Sequence, residues 1–227
     1  MRLLVLSDIH GRYKKFSASQ MPEADICIIA GDITNRGLRD TQEFCASQQW
    51  IADIVDRFPL TLWIEGNHDL EFHCDIYYPI GSRHEEYHRL ECIQSRRYLL
   101  QNGAEILSLF GVSMSPAYDM PELASTWCNM TARREVEEAA YARIPHNTDI
   151  IVSHCPPFGI MDAAGFARNP DGTWEKRPIG SKSLLAFIDE HSPRIVICGH
   201  VHGAAGHVRY KETDIYNVAE EWRIIEV

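Results

Sequence analysis

Five short polar segments, spread from one end of the 227-residue chain to the other, carry side chains that metals favour. They are Asp8-Ile9-His10, Gly31-Asp32, Gly66-Asn67-His68-Asp69, Ser153-His154 and Gly199-His200-Val201-His202. Oxygen and imidazole donors without thiolate suit manganese, iron, zinc or similar divalent ions. In the last segment an extended backbone would put both rings on one side, where they could meet one ion or two adjacent ones. Singly, each segment has an ordinary alternative: a capping aspartate, a strand-to-turn exit, a pair of turn histidines. Together they offer more donors than one ion can take. That points to two ions about 3.5–4 Å apart, the arrangement used for in-line displacement at phosphorus.

Each segment follows an apolar run, at 3–6, 26–30, 60–64, 150–152 and 195–198. Such runs read as buried strands, so each polar group falls at a strand's carboxyl end, the edge where open α/β sheets bind ligands. Between the second and third runs, Asp40 precedes Glu43 at capping-box spacing. Phe44, Ile51, Ile54, Val55 and Phe58 then recur at helical intervals before Pro59 stops them. Strand, helix, strand implies parallel pairing with helices packed on the sheet. Later, Asn102-Gly103 between runs at 98–101 and 104–110 predicts a tight hairpin, hence antiparallel strands as well.

Elsewhere the expectations are coarser. Residues 70–97 read as a loop and a short helix, 131–143 as a surface helix, and 158–178, rich in Gly and Pro, as a long irregular loop. Ser181 caps a helix carrying Leu184, Leu185, Phe187 and Ile188, and strands follow at 194–198, 206–210, 213–218 and 222–227. The economical architecture is a single domain over 1–227, an α/β four-layer sandwich of two mixed β-sheets flanked by α-helices.

Composition narrows the function. A formal net charge of -10 disfavours a broad nucleic-acid surface. Seven cysteines show no C-x-x-C pair, so neither a zinc ribbon nor a disulfide scaffold is expected. No run is long enough for a signal core or a membrane span, which makes a cytoplasmic protein with no membrane partner the expectation. Asn129-Met130-Thr131 spells a glycosylation acceptor that has no use without secretion. The histidines at 73, 84, 88, 146, 191 and 207 lack ligand partners at useful spacing.

The ordered series Asp-x-His, Gly-Asp, Gly-Asn-His-Asp, a lone His after a strand, and Gly-His-x-His resembles the calcineurin-like metallophosphoesterase superfamily. It spans residues 8–202. Ser153-His-Cys-Pro-Pro157, Gly199-His-Val-His-Gly203 and Asn217-Val-Ala219 look like its metallophosphoesterase-domain-containing group, related to the brain phosphodiesterases. The resemblance implies that Asp8, His10 and His202 hold one ion, Asn67, His154 and His200 the other, and that Asp32 bridges them. It further implies in-line attack by a metal-bridging hydroxide on a small phosphoester, with His68 stabilising or protonating the leaving group. Asp69 is expected either to orient that imidazole or to be an ordinary loop acid. Arg36 matches the offset of the phosphate-clamping arginine of protein serine/threonine phosphatases, but a surface arginine fits as well.

Phosphodiester hydrolysis leads on the group resemblance. The same core can serve a phosphomonoesterase or a nuclease, because loops set leaving-group choice. A non-catalytic scaffold would be expected to have lost ligands, yet all seven metal positions and His68 are present.

Overall fold

The computed structural model describes residues 1–69, 89–118, 121–124, 129–168 and 171–227. The strands are β1 (Arg2–Leu6), β2 (Ile26–Ile29), β3 (Thr61–Trp63), β4 (Leu90–Cys92), β5 (Arg97–Asn102), β6 (Glu105–Val112), β7 (Ser115–Pro116) and β8 (Met130–Thr131). They continue as β9 (Ile150–Ser153), β10 (Ala163–Arg168), β11 (Trp174–Pro178), β12 (Ile195–Cys198), β13 (Gly206–Tyr210), β14 (Thr213–Asn217) and β15 (Trp222–Glu226). The helices are α1 (Thr41–Arg57), α2 (Pro121–Ala124), α3 (Arg134–Tyr141) and α4 (Lys182–His191).

Two large mixed sheets result, ordered β15-β1-β2-β3-β4 and β13-β14-β12-β9-β6-β5. In the first, β1, β2, β3 and β4 run parallel and β15 antiparallel; in the second, β14, β12, β9 and β6 run parallel between antiparallel edges. Side-chain alternation splits each central strand between two cores. Val5, Ile28 and Leu62 meet Leu109, Val152 and Ile197 between the sheets. Leu4, Leu6 and Ile29 face outward onto Trp50, Ile51 and Ile54 of α1. Phe110, Ile151 and Val196 face the other way, onto Tyr141 of α3 and Leu184 and Ile188 of α4. The four layers explain why the central strands read as unbroken apolar runs: both faces are covered.

Asp40 caps α1 by accepting from the N–H groups of Gln42 and Glu43, both at 3.1 Å, worth about 1 kcal/mol. The Glu43 carboxylate turns away from the box and accepts from Asn35 N at 2.7 Å, Asn35 Nδ2 at 3.0 Å and Arg36 N at 3.1 Å.

Several expectations need correction. The hairpin forms, but Asn102 pairs with Glu105, so the turn is Gly103-Ala104 and only Gly103 has a positive φ, of 61°. A glycine alone at the first turn position suits a type II′ turn. Asn102 stays in the strand, where its Nδ2 donates to the Val227 carbonyl at 2.9 Å. The expected loop at 158–178 contains the antiparallel pair β10 and β11. The helix near 131–143 is not purely a surface element, since Glu137 and Tyr141 are buried. Glu137 accepts from the hydroxyls of Ser181 and Ser183 at the start of α4. Of 70–97, residues 70–88 lie outside the described residues, and 90–92 form an edge strand.

Candidate metal centre

The carboxyl ends of β1, β2, β3, β9 and β12 point to one edge of the sandwich, and all seven expected ligands converge there. Asp8 Oδ1 lies 3.6 Å from His10 Nε2 and 3.0 Å from His202 Nε2. The two imidazole nitrogens face each other at 3.0 Å. Asn67 Oδ1 lies 3.1 Å from His154 Nε2 and 2.9 Å from His200 Nδ1. Between the groups sits Asp32, whose Oδ2 is 3.6 Å from His10 Nε2 and 3.3 Å from His154 Nε2. Its Oδ1 is held by the backbone N–H of His68 at 2.7 Å, which leaves Oδ2 to the imidazoles.

Backbone strain is concentrated here. Of the nine non-glycine residues with left-handed φ among the described residues, four are Asp8, His10, Asp32 and His200, and a fifth is Glu220 beside them. Asp and His tolerate that region better than most residues, though each instance costs about 1–3 kcal/mol. The loops are laced together to hold it: Asp8 N donates to Gly31 O at 3.0 Å, His10 N to Asp32 O at 3.0 Å, and Gly199 N to His154 O at 3.0 Å. Close approach also demands glycine. A Cβ on Gly31, at φ 98°, would lie 2.7 Å from His154 Nδ1, and one on Gly66 would collide with the Asp32 carboxylate.

The cluster keeps its carboxylates charged. Burial opposes ionisation of Asp8, yet His10 and His202 hold its carboxyl well below the usual range. Burial opposes Asp32 likewise and is outweighed by His154. His154 is itself raised to about 9, because Asp32 and Asp8 overcome the effect of burial. Burial and the charge of His154 push His200 down to about 4, leaving it neutral. Three triads of donor atoms, Asp8-His10-His202, His10-Asp32-His68 and Asp8-Asp32-His154, each converge within 4.8 Å. Carboxylate, imidazole and amide oxygen converging on shared points form a donor set that fits divalent cations, which would take the place of the protons that His10 and His154 hold beside the carboxylates.

Beyond the seven candidate ligands, His68 and Asp69 follow Asn67 in the same turn. Asp69 is fully buried and accepts from Ile33 N, Thr34 N, Thr34 Oγ1 and Gly66 N at 2.9–3.2 Å. It therefore braces the turns that carry Asp32 and Asn67, where the sequence left open an orienting role toward His68 or an ordinary loop acid. Burial and the charge of Asp32 push its carboxyl up to about 7. The His68 ring meets the backbone: its Nδ1 lies 2.9 Å from the Asn35 carbonyl. Asn35 in turn is held by Glu43 and donates through Nδ2 to the His10 carbonyl at 2.9 Å. Arg36 is exposed. His146 stacks on His191 and His207 on Tyr216, which gives these histidines ordinary roles.

Two further residues, neither given a part in the site by the sequence, support it. Asn129, in the glycosylation spelling, is only 8% exposed and donates to Glu65 Oε2 at 3.0 Å and the Gly66 carbonyl at 3.2 Å, steadying the turn before Asn67. Glu220 Oε1 lies 3.2 Å from His202 Nδ1. Its signal was available, because 213–218 is another strand run whose carboxyl end reaches the same edge.

The model of the calcineurin-like phosphoesterase family matches residues 1–204, and the chain belongs to that family. It is 25% identical over 228 residues to a UPF0046 protein of Caenorhabditis elegans, covering 97% of this chain and 70% of that protein. Human Metallophosphoesterase domain-containing protein 1 is 26% identical over 221 residues, covering 90% of this chain; the chain spans only 61% of the human protein's length. Among solved structures, TT1561 of Thermus thermophilus superposes with a TM-score of 0.59 at 14% identity, over 95% of this chain and 88% of that one, which bears on fold alone. Among the described residues no helix is long and apolar enough to cross a membrane.

Proposed function

We propose that the protein is a dinuclear metal-dependent phosphodiesterase acting on a small phosphoester. The observation that carries this reading is the placement of Asp32 Oδ2 between His10 and His154, where one carboxylate serves two donor groups. Asp8, His10 and His202 would hold one ion and Asn67, His154 and His200 the other, the ions being manganese, iron or zinc. When bound, such a pair lowers the pKa of a shared water and neutralises the phosphoryl oxygens.

The chain's own part is positioning and proton transfer. His68 faces the same centre, edge-on to His10 at 4.8 Å between ring centroids. With Nδ1 donating its proton to the Asn35 carbonyl, the ring can carry a second proton on Nε2 and deliver it to the departing oxygen. The attacking water loses a proton to solvent, and His68 is recharged from the same source. Preference for diesters rests on the motif likeness to the brain phosphodiesterase-related group. A paired assay tests it: bis-p-nitrophenyl phosphate is expected to be turned over with higher kcat/KM than p-nitrophenyl phosphate in manganese-loaded protein. A reversed ratio would make the protein a monoesterase, and activity confined to single-stranded DNA would make it a nuclease.

Two further results are expected. Manganese at about a hundred times its dissociation constant adds about 2.7 kcal/mol for each site filled, raising Tm by about 5–10 °C per site for a chain of this size, and excess chelator should reverse the gain in a thermal melt. Glu43→Ala frees the Asn35 turn and is expected to lower kcat by about 10- to 100-fold with metal content unchanged, as measured by steady-state kinetics and elemental analysis.

A further inference from the structure

The two donor groups are supported in different ways. His154 is fully buried, and its Nδ1 lies 2.8 Å from the Ala30 carbonyl, so the core backbone fixes which nitrogen faces Asn67 and Asp32. The side chain of His202 is 43% exposed, and the group facing its Nδ1 is the Glu220 carboxylate at 3.2 Å. That carboxylate is itself tethered, since Arg12 Nη1 donates to the same Oε1 at 2.7 Å. Arg12 also spans the first ligand turn, donating through Nη2 to Asp8 O at 2.5 Å and through Nε to Ile9 O at 3.0 Å.

The backbone of Glu220 is just as constrained. It adopts a left-handed φ of 60°, its N–H donates to Ser7 O at 3.1 Å, and its carbonyl accepts from Lys15 Nζ at 2.8 Å. A parallel bridge between Ser7 and Ala219 ties the same junction from the other side. A non-glycine residue in that conformation needs surroundings that impose it, and strain of this kind gathers at functional sites.

We propose that Glu220, held by Arg12, is a positioning residue for one metal site only. It keeps the His202 proton on Nδ1, so that the Nε2 lone pair faces Asp8 and His10. Carboxylate and carbonyl partners on the far nitrogen of a ligand histidine fix its tautomer and orientation, and losing one costs about 10- to 100-fold in metal affinity. Among the described residues neither Glu220 nor Arg12 has a hydrogen bond to Asn67, His154 or His200; a link between the groups is Asp8 Oδ2, which accepts from His200 N at 2.9 Å. The inference rests on the two-ion reading above, and it adds an asymmetry that the ligand set alone does not contain.

Manganese titration by calorimetry tests it on metal-stripped wild type, Glu220→Gln and Glu220→Ala. Wild type is expected to show two sites. In the variants one site weakens by about 10- to 100-fold, more in Ala than in Gln, while the other keeps its affinity. Paramagnetic resonance then shows a magnetically isolated manganese at concentrations where wild type shows a coupled pair. Equal weakening of both sites would mark Glu220 as merely structural and overturn the proposal, as would unchanged affinity at both. A wild type that takes up no manganese would instead overturn the two-ion reading itself. Should Glu220→Ala melt early, Glu220→Gln, which keeps the length of the side chain, decides the matter.

Discussion

Asp32→Asn is expected to abolish turnover and to strip the centre of its pairing of ions. Asp32 is almost fully buried, its Oδ1 is fixed by the His68 N–H, and its Oδ2 faces both His10 and His154. The amide keeps the volume but removes the charge that both donor groups share. It also aims either an oxygen or an NH2 at the two imidazoles, and the NH2 cannot ligate. A bound ion contributes several kcal/mol of charge stabilisation, and each 1.36 kcal/mol is tenfold in rate. A loss of about a thousandfold or more follows. Elemental analysis after dialysis should find less than the wild-type complement of metal, and a variant with both full metal and full activity would remove Asp32 from the bridging position.

His68→Ala is expected to separate chemistry from metal binding. The ring stands beside the ligands, with its Nδ1 against a backbone carbonyl and its backbone N–H on Asp32, so deleting it leaves that N–H contact in place. A lost general acid costs about a hundred- to ten-thousand-fold in kcat. The loss should shrink as the leaving group improves, because a p-nitrophenolate needs less protonation than an alkoxide. Comparing a nitrophenyl with an alkyl ester measures this directly. Equal losses on both would assign His68 to charge stabilisation instead of proton delivery.

The convergence of these side chains was legible in sequence because each candidate ligand lies just past a strand buried on both faces. Ile150, Ile151 and Val152 must all be apolar there, which makes His154, one residue past the strand's end, stand out. Residues that act through backbone groups leave no such contrast. The His68 partner is the carbonyl of Asn35, which any residue type would supply. Glu43 satisfies the spelling of a capping box equally well whether it caps its helix or, as here, braces a neighbouring turn. The β10–β11 pair escaped because glycine and proline within 158–178 mask the period of two. Asn102-Gly103 and Gly103-Ala104 both place a glycine in the turn, and only pairing between strands chooses the register.

The four residues Asp8, His10, Asp32 and Asn67 come from one sheet, and His154, His200 and His202 from the other. Cations gripped by both would act as rivets through the seam of the sandwich. Amide protons along β1, β2, β9 and β12 should then exchange more slowly on loading, and together. Stripping the ions would first loosen the rim of the seam that carries these seven residues, while the packed interior of Val5, Leu109 and Ile197 keeps the layers joined.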